Sequence, residues 1–373
     1  MYNIEMSKIV IDARELRTTT GRYVERLLYY LQEVDNKNSY VVLLKPKDID
    51  GWIPSNKNFT SMPCPYKEFT FREQISLFRQ LREIKPDLVH FAMVQQPIGY
   101  MGRVVTTMHD LTTVRFKNPS KNWLIFSIKQ FVYIWVNRIV AHKSKAIITP
   151  SEFVKEDIAK FTRINSRKIT VTYEGADKIK DESESIDNLV DSPFIMYTGR
   201  PQPHKNLERL IEAYSIIKKD CPGLKLVLSG KKDVLYKRIE KEALANGLSD
   251  IIFPGFVSEG QLKWLYENCL AYIFPSLSEG FGLPGIEAMV HGAPVISSSY
   301  TCLPEIYGDA AEYFDPSDVN NMAETIIKVV KSPIKRKELI EKGHKQAKKY
   351  SWRKMAEETL DIYKDVLGDR SIS

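Results

Sequence analysis

Two glutamates eight residues apart flank a glycine-rich turn and form the strongest candidate for a chemical site in this sequence. Glu279 and Glu287 lie near the two ends of the segment S-E-G-F-G-L-P-G-I-E. The apolar run 271–275 predicts a buried strand before the turn, and the segment 283–291 predicts a helix after it. A strand-to-helix junction presents backbone N–H groups and a positive dipole end, which suit a phosphate. The spacing predicts a ligand with a sugar at one end and a ribose at the other.

Two cations follow another predicted strand in the same half of the chain. Arg200 and Lys205 come after the strand-like run 194–197, and the predicted helix 206–218 begins directly after them. Two cations beside a helix N-terminus suit a diphosphate. Alone they would be read as ordinary surface charges. Together with the glutamate turn they predict a site for a nucleotide sugar.

Two alternatives for the glutamate turn have to be weighed. Gly280, Gly282 and Gly285 match the G-x-G-x-x-G dinucleotide fingerprint, and Glu305 lies twenty residues beyond them. That fingerprint normally occupies the first strand–helix turn of a Rossmann unit, whereas this one comes late and contains Pro284. The other alternative is a tight turn with solvated glutamates, and the neighbouring cations argue against it.

Strand-like and helical runs alternate along the chain, which is the pattern of parallel sheets with crossover helices. A polar, acidic stretch at 177–192 breaks the pattern and predicts a linker. We therefore predict an N-terminal, acceptor-side domain over 1–176, a nucleotide-sugar-binding domain over 193–350, and a final helix in 351–373 that packs on the first domain. Ligands bind beyond the carboxyl ends of parallel strands, so the expected site is the cleft between two doubly wound domains.

Composition favours a two-domain globular protein without a disulfide framework. The chain has 373 residues, of which 43% are hydrophobic and 27% charged. Its four cysteines show no C-x-x-C spacing and the N-terminus has no apolar signal core, which together favour the cytoplasm. No suitably placed Asp-x-Asp and no His/Cys cluster suggests a metal site, so we expect no metal and no other cofactor.

The segment 123–141 is the longest apolar candidate for the membrane, but charged and amide side chains interrupt it, so it is not predicted to span. Between residues 115 and 145 no acidic residue occurs, and the basic ones are Arg115, Lys117, Lys121, Lys129, Arg138, Lys143 and Lys145. Such a helix either lies on an anionic membrane surface or is a core helix with a solvated basic face, and both interpretations stay open. The net charge of +7 would also suit nucleic acid, but no nucleic-acid-binding module accompanies it.

Taken together, the motifs resemble the retaining glycosyltransferases of family 4, which have the two-domain GT-B fold. The resemblance covers nearly the whole chain. It is carried by Glu279 to Glu287, Gly199-Arg200 with Lys205, Pro254-Gly255-Phe256-Val257, Glu287-Ala288-Met289, Gly292-Ala293-Pro294-Val295 and Tyr350-Ser351-Trp352. It implies metal-independent transfer of a hexose from a nucleotide sugar, with retention of the anomeric configuration.

The resemblance also implies roles for the matching residues. Arg200 and Lys205 would neutralise the leaving diphosphate, and Glu287 would bind the ribose. Glu279 would orient the donor sugar, and His109 would contact it, although a packing histidine at a strand end is the alternative. The remaining substrate-binding positions are Gly21, Gly230, Phe256 and Val257, the last two at the base, and Phe281, Gly282 and Leu283, whose backbone would hold sugar and phosphate.

One departure from the family pattern concerns the loop after the first strand. The family has a glycine-rich loop there, whereas Asp12-Ala13-Arg14 is followed here by the threonines 18–20 and by a single glycine, Gly21. The backbone at Gly21 can still approach a phosphate, with threonine hydroxyls replacing part of the loop.

The donor and acceptor follow from two shorter motifs. Asp12-Ala13-Arg14 and His109-Asp110-Leu111 look like those of bacterial mannosyltransferases that build surface polysaccharides, which implies GDP-mannose. A UDP- or dTDP-hexose is the alternative donor. The implied acceptor is a lipid-linked oligosaccharide, which would place the enzyme at the inner face of the cytoplasmic membrane; a soluble glycan or a protein is the alternative acceptor.

Two other functional classes remain as alternatives. A sugar-nucleotide epimerase or hydrolase of the same fold would keep the nucleotide half and change residues of the first half. A catalytically silent partner subunit would be expected to lose His109, Arg200 or Glu279, and all three are present.

Overall fold

The computed structural model describes residues 6–18, 21–116 and 123–368, with only the backbone described between 123 and 129. Within these ranges the chain divides into two compact units. The first holds 6–115, 123–174 and 351–368, and the second holds Phe116 and 175–350. Each unit is built on one parallel sheet.

The sheet of the first unit has seven strands. They are β1 Lys8–Asp12, β2 Ser39–Leu44, β3 Phe59–Pro63, β4 Leu88–Phe91, β5 Val104–Thr107, β6 Ala146–Thr149 and β7 Ile169–Val171. Their order is β3-β2-β1-β4-β5-β6-β7, and every neighbouring pair is parallel. The central strands are apolar runs because helices cover both faces of the sheet. The edge strand β3 was not predicted, because its polar residues and terminal proline do not show a strand pattern.

The sheet of the second unit has six strands. They are β8 Phe194–Thr198, β9 Lys225–Ser229, β10 Ile251–Gly255, β11 Ala271–Phe274, β12 Val295–Ser298 and β13 Ala311–Phe314. Their order is β10-β9-β8-β11-β12-β13, again all parallel. The carboxyl ends of β8 and β11 are therefore neighbours, and these are the strands that precede the cations and the glutamate turn.

Helices connect the strands in both units. Those of the first unit are α1 Gly21–Val34, α2 Phe78–Ile84, α3 Thr112–Arg115, α4 Trp123–Lys143, α5 Glu152–Thr162 and α13 Trp352–Leu367. Those of the second are α6 Leu207–Asp220, α7 Val234–Ala245, α8 Glu259–Asn268, α9 Leu283–Val290, α10 Leu303–Tyr307, α11 Val319–Val330 and α12 Pro333–Ala347. Within the described ranges, none of these helices combines the length and apolarity needed to cross a bilayer.

The final helix returns to the first unit, as the sequence predicts. Helix α13 packs along α1, and the guanidinium of Arg353 pairs with Glu33 at 2.8 Å. Deeper in the unit, the buried Tyr363 hydroxyl lies 2.5 Å from Nδ1 of His90. The packing of α13 on α1 and the buried contact between Tyr363 and His90 thus hold the final helix on the first unit.

The stretch predicted as a linker lies against the second unit. The Ile179 N–H donates to Nε2 of His291 at 3.1 Å, and the Glu184 N–H donates to the Gly260 carbonyl at 3.1 Å. A Cβ on Gly260 would lie 2.4 Å from the Glu182 carbonyl oxygen, so the two backbones are in close contact. The observed boundary between the units falls after Glu174. The sequence predicts a free linker because this stretch is polar and has no apolar periodicity. In the structure, hydrogen bonds hold it against the second unit.

Candidate active site

One ion pair joins two of the predicted catalytic residues. Lys205, in the turn between β8 and α6, places its Nζ 2.6 Å from Oε1 of Glu279, in the turn between β11 and α9. Both side chains are largely shielded from solvent, and the Leu277 N–H donates to the His204 carbonyl at 2.7 Å. The cation turn and the glutamate turn therefore form one local structure at the carboxyl edge of the second sheet.

Arg200 lies in the same turn but is more exposed. Its side chain is 48% exposed, and Nη2 lies 3.5 Å from Oδ2 of Asp233. Asp233 is the N-cap of α7 and accepts the Tyr236 N–H at 3.0 Å. The helix uses Oδ1 and the guanidinium approaches Oδ2, so the two contacts do not compete. The long distance and the exposure of Arg200 make this ion pair weak. Sequence reasoning did not single out Asp233.

The loop after β12 also holds the backbone of Glu279. The Glu279 N–H donates to Oγ1 of Thr301 at 3.2 Å, and the Cys302 thiol donates to the Glu279 carbonyl at 3.3 Å. Thr301 has a φ of +57°, a conformation uncommon for a β-branched residue. This strained position aims the threonine hydroxyl at the glutamate turn.

The glycines of the turn have a packing role that accounts for their pattern. A Cβ on Gly285 would lie 2.3 Å from the Tyr307 hydroxyl oxygen, and one on Gly282 would lie 2.5 Å from it. The same hydroxyl donates to the Gly282 carbonyl at 2.6 Å. Gly282 also has a φ of +92° and is the N-cap of α9. The start of α9 thus packs directly on a buried tyrosine, which leaves no need for a dinucleotide to explain the motif.

Glu287 and Phe281 lie on either side of this helix start. Glu287 is half-buried and is the fifth residue of α9, so it lies just over one turn into the helix. The Phe281 ring is buried edge-on against Tyr350, with ring centroids 5.3 Å apart. The Phe281 side chain is therefore used in packing. Leu283, the first residue of α9, is half-buried.

The other predicted positions of the second unit lie at the ends of β9 and β10. The Gly230 N–H donates to the Gly255 carbonyl at 2.9 Å, and a Cβ on Gly230 would lie 2.2 Å from the Gly199 carbonyl oxygen. Gly230 therefore allows the ends of β8 and β9 to approach each other. Phe256 follows β10 with its side chain 84% exposed, and Val257 is half-buried.

A residue without a predicted role, Asn206, ties three turns of this site together. It is buried, has a φ of +60°, and donates from Nδ2 to the Pro275 carbonyl at 3.1 Å and the Pro316 carbonyl at 2.8 Å. Its Oδ1 accepts from Arg209 at 2.8 Å. Asparagine tolerates the left-handed region better than most residues. The predicted helix 206–218 included Asn206, whereas in the structure Asn206 is the N-cap of α6, which begins at Leu207.

In the first unit, His109 follows β5 and is held on three sides. Its Nε2 lies 3.1 Å from the Ala92 carbonyl oxygen, its Nδ1 lies 3.5 Å from Oε1 of Glu174, and the Tyr23 ring packs edge-on at 4.8 Å. The predicted site residue therefore also has the packing contacts of the alternative interpretation. Glu174, three residues after β7, was not predicted.

The loop after β1 is closed by backbone and ionic contacts. Gly21 begins α1, and a Cβ there would lie 2.2 Å from the Leu16 carbonyl oxygen, so the glycine is needed for chain packing. Thr19 and Thr20 lie outside the described residues. The buried Arg14 pairs with Asp12 at 2.7 Å and Glu73 at 2.8 Å. Burial alone would lower the pKa of Arg14, but the two carboxylates outweigh it and raise that pKa.

Comparisons with known proteins agree with this architecture. Residues 20–178 match the family described as Glycosyltransferase Family 4, and residues 178–346 match that described as Glycosyl transferases group 1. The O-antigen chain mannosyltransferase B of Escherichia coli is 27% identical over 76% of each chain. The O-antigen chain mannosyltransferase RfbU of Salmonella typhimurium is 27% identical over 80% of this chain and 78% of that protein.

Solved structures show the same fold. The sucrose-phosphate synthase from Thermosynechococcus elongatus superimposes with a TM-score of 0.77 at 19% identity, covering 98% of this chain and 100% of that one. The two matched families together extend over residues 20–346. The chain belongs to the family 4 glycosyltransferases and has the GT-B fold. It is therefore an enzyme that transfers glycosyl groups.

Proposed function

We propose that this enzyme transfers mannose from GDP-mannose to a lipid-linked glycan, with retention of configuration, in the synthesis of a surface polysaccharide. The observation that carries the proposal is the Lys205–Glu279 ion pair, which lies in one local structure with Arg200 and the N-terminus of α9. The two O-antigen mannosyltransferase relatives favour mannose. A UDP- or dTDP-hexose remains the alternative donor.

The proposed chemistry separates charge, and the residues supply the compensating charges. The bond between the sugar C1 and the diphosphate oxygen breaks, and its electron pair stays on the diphosphate. Arg200, Lys205 and the dipole of α9 stabilise that negative charge. The acceptor hydroxyl attacks C1 on the same face, and its proton passes to the departing phosphate oxygen. Because protein cations serve the leaving group, we propose that no metal or other cofactor takes part.

The remaining residues are proposed to bind the donor. Glu279 orients the sugar, Glu287 binds the ribose hydroxyls, and the chain at Phe256 and Val257 holds the base. The backbone of residues 281–283 and of Gly230 is proposed to line the diphosphate and sugar. His109 of the first unit is proposed to act on the donor sugar. Gly21, which has no side chain, is proposed to contact substrate through its backbone; a Cβ there would lie 2.2 Å from the Leu16 carbonyl oxygen.

The test is transfer from GDP-mannose to a lipid-linked glycan in the presence of EDTA, with the product examined by NMR. We expect transfer to continue without added metal and the new mannoside to keep the α-configuration of the donor. An inverted product would refute same-face attack. Restoration of activity only by a divalent cation would refute the proposed role of Arg200 and Lys205.

We further propose that the protein is located in the cytoplasm. Its first unit would contact the anionic inner face of the cytoplasmic membrane, where a lipid-linked acceptor resides. Helix α4 packs one side into the core through Asn137 and Val140, yet its opposite side is apolar and exposed. Phe131 and Trp135 are 62% and 49% exposed, and with Val132 and Ile139 they form one exposed stripe. Large apolar patches of this kind mark interaction sites.

A second group of exposed apolar side chains belongs to the same unit. The Phe69 ring contacts the Tyr133 ring of α4 with centroids 5.7 Å apart, and Phe71 and Ile75 near it are exposed. Exposed basic residues accompany these side chains, namely Arg72, Arg79 and Arg82. Apolar side chains with flanking cations suit an anionic lipid interface. We name Phe69, Phe71, Ile75, Phe131, Val132, Trp135 and Ile139 the apolar surface.

In the structure, the basic residues of the segment 115–145 lie in different environments. Arg115 pairs with Asp157, and Lys143 is mostly buried and donates to the Pro97 carbonyl at 2.6 Å. Burial lowers the pKa of Lys143 to about 8, which is the opposite of what a lipid-facing cation requires. Lys145 is exposed, and Arg138 lies over the Trp135 ring at 6.0 Å. Lys117 and Lys121 lie outside the described residues, and the side chain of Lys129 is not described.

Replacing both Phe131 and Trp135 with serine is expected to weaken binding to anionic vesicles by at least about tenfold, because two large side chains no longer enter the interface. The measurement is co-sedimentation with vesicles containing phosphatidylglycerol. Ile334→Ser, which removes an even more exposed apolar side chain from the second unit, is the control and should bind as the wild type does. Equal binding by all three proteins would contradict the proposal.

A further inference from the structure

Two neighbouring residues in the loop after β12 bind both backbone groups of Glu279, the glutamate proposed at the donor sugar. The Glu279 N–H donates to Oγ1 of Thr301 at 3.2 Å, and the Cys302 thiol donates to the Glu279 carbonyl at 3.3 Å. The Glu279 carboxylate is paired with Lys205 at 2.6 Å. Three contacts therefore hold this residue, and two of them come from the same loop.

The backbone conformation of Thr301 is one that a threonine adopts only at a cost in free energy. Its φ of +57° lies in the left-handed region, where a branched Cβ is crowded. Glycine adopts this region freely, so the backbone conformation alone favours glycine at this position. Strained residues persist where the surrounding structure holds them, and they cluster at functional sites. The group that threonine has and glycine lacks is the side chain whose hydroxyl accepts the Glu279 N–H.

The segment that carries Thr301 is itself held on both sides. Before it, the Ser299 N–H donates to the Phe314 carbonyl of β13 at 2.9 Å. After it, the buried Tyr307 of α10 donates its hydroxyl to the Gly282 carbonyl in the glutamate turn at 2.6 Å. The Thr301 hydroxyl therefore extends from a loop whose two ends are fixed, and it passes that fixed position on to the glutamate turn.

We propose that Thr301 is a positioning residue for glycosyl transfer, whose hydroxyl holds the backbone of Glu279 so that the carboxylate meets the donor sugar. This role rests on the proposed function, in which Glu279 orients that sugar. Thr301 acts through Glu279 and makes no contact of its own with the sugar in this role. A misplacement of about 1 Å can lower a rate by roughly 100-fold. Loss of the hydroxyl therefore lowers turnover and leaves nucleotide affinity nearly unchanged.

Three substitutions at Thr301 separate the hydroxyl from the backbone strain. Thr301→Val keeps the branched side chain without the hydroxyl, Thr301→Gly removes both the hydroxyl and the strain, and Thr301→Ser keeps the hydroxyl. We expect kcat to fall about 10- to 100-fold in Thr301→Val and equally in Thr301→Gly, with GDP affinity near that of the wild type. Thr301→Gly should nevertheless have a higher Tm than Thr301→Val, because glycine relieves the strain.

Thr301→Ser should keep a kcat close to that of the wild type. The control is Thr325→Val, which removes a half-buried hydroxyl from α11 and should leave kcat unchanged. A wild-type kcat in Thr301→Gly, or a Thr301→Ser variant as slow as Thr301→Val, would overturn the proposal. A purely structural role would instead make kcat recover with Tm in Thr301→Gly.

The contact itself can be tested without substrate. Hydrogen exchange followed by NMR reports on the Glu279 amide, and the Tyr236 amide, which donates to Asp233 at 3.0 Å in the same unit, is the internal control. We expect the Glu279 amide to exchange faster in Thr301→Val than in the wild type, with the Tyr236 amide unchanged. Equal Glu279 exchange rates in the two proteins would overturn the proposal. A wild type inactive on every nucleotide sugar would refute the proposed function, while these rates would still decide whether Thr301 holds Glu279.

Discussion

Replacing Lys205 with alanine is expected to lower turnover more than any other single change to the cation turn. The variant loses the charge-assisted contact that Lys205 is proposed to make with the diphosphate, worth about 1.5–3 kcal/mol, which alone corresponds to roughly 10- to 150-fold in rate. The variant also leaves the shielded Glu279 carboxylate without the cation that lies 2.6 Å away. An unpaired carboxylate beside the incoming diphosphate adds repulsion to the loss.

Arg200→Ala is expected to lower turnover by a factor at the lower end of the same range. The reason is that its guanidinium is about half exposed and makes only a weak contact with Asp233. Steady-state kinetics and thermal unfolding measured together distinguish lost catalysis from lost structure. The control is Lys219→Ala, which removes an exposed cation at the end of α6. Wild-type turnover in Arg200→Ala or Lys205→Ala would remove that residue from the leaving-group site.

The double variant Lys205→Ala with Glu279→Gln provides an internal check on the ion pair. Removing the carboxylate together with its partner eliminates the unpaired charge, so we expect nucleotide affinity to recover relative to Lys205→Ala alone. The two substitutions should therefore be clearly non-additive, as is usual for residues in direct contact. Additive losses would mean that the two residues act independently.

Much of the second unit could be predicted because its strands are short apolar runs separated by polar turns. The predicted strands 194–197 and 271–275 end within one residue of β8 and β11, and the predicted helix 283–291 ends within one residue of α9. Helix α8 was missed although its capping box, Ser258 with Gln261, is visible in the sequence. Strand β13 was missed because four residues with two half-buried positions give too weak a pattern.

Contacts within the candidate site were harder to predict than its elements. The approach of Lys205 to Glu279 follows from the sheet order, because β8 and β11 are neighbours, but that order is a tertiary property. Glu174 was missed for the same reason, since 65 residues of sequence separate it from His109. Gly282 was predicted as a substrate contact and Gly285 matched the dinucleotide fingerprint, whereas the structure shows that both glycines make room for Tyr307.

Glu279→Gln and Glu287→Gln are expected to have opposite effects on binding and on transfer. Glu279 is proposed at the sugar and is paired with Lys205, so its neutral replacement should abolish most transfer while freeing Lys205 for the diphosphate. Nucleotide affinity should then be retained or increased. Glu287 is proposed at the ribose, so Glu287→Gln should weaken nucleotide binding by about 1.5–3 kcal/mol, or roughly 10- to 150-fold.

Calorimetric titration of GDP into the wild type and these two variants tests the central claim, that the turn between β11 and α9 holds a nucleotide sugar with its two ends on the two glutamates. The account predicts that Glu279→Gln binds GDP at least as tightly as the wild type and that Glu287→Gln binds it at least about tenfold more weakly. Equal losses in both variants, or full affinity in Glu287→Gln, would contradict it.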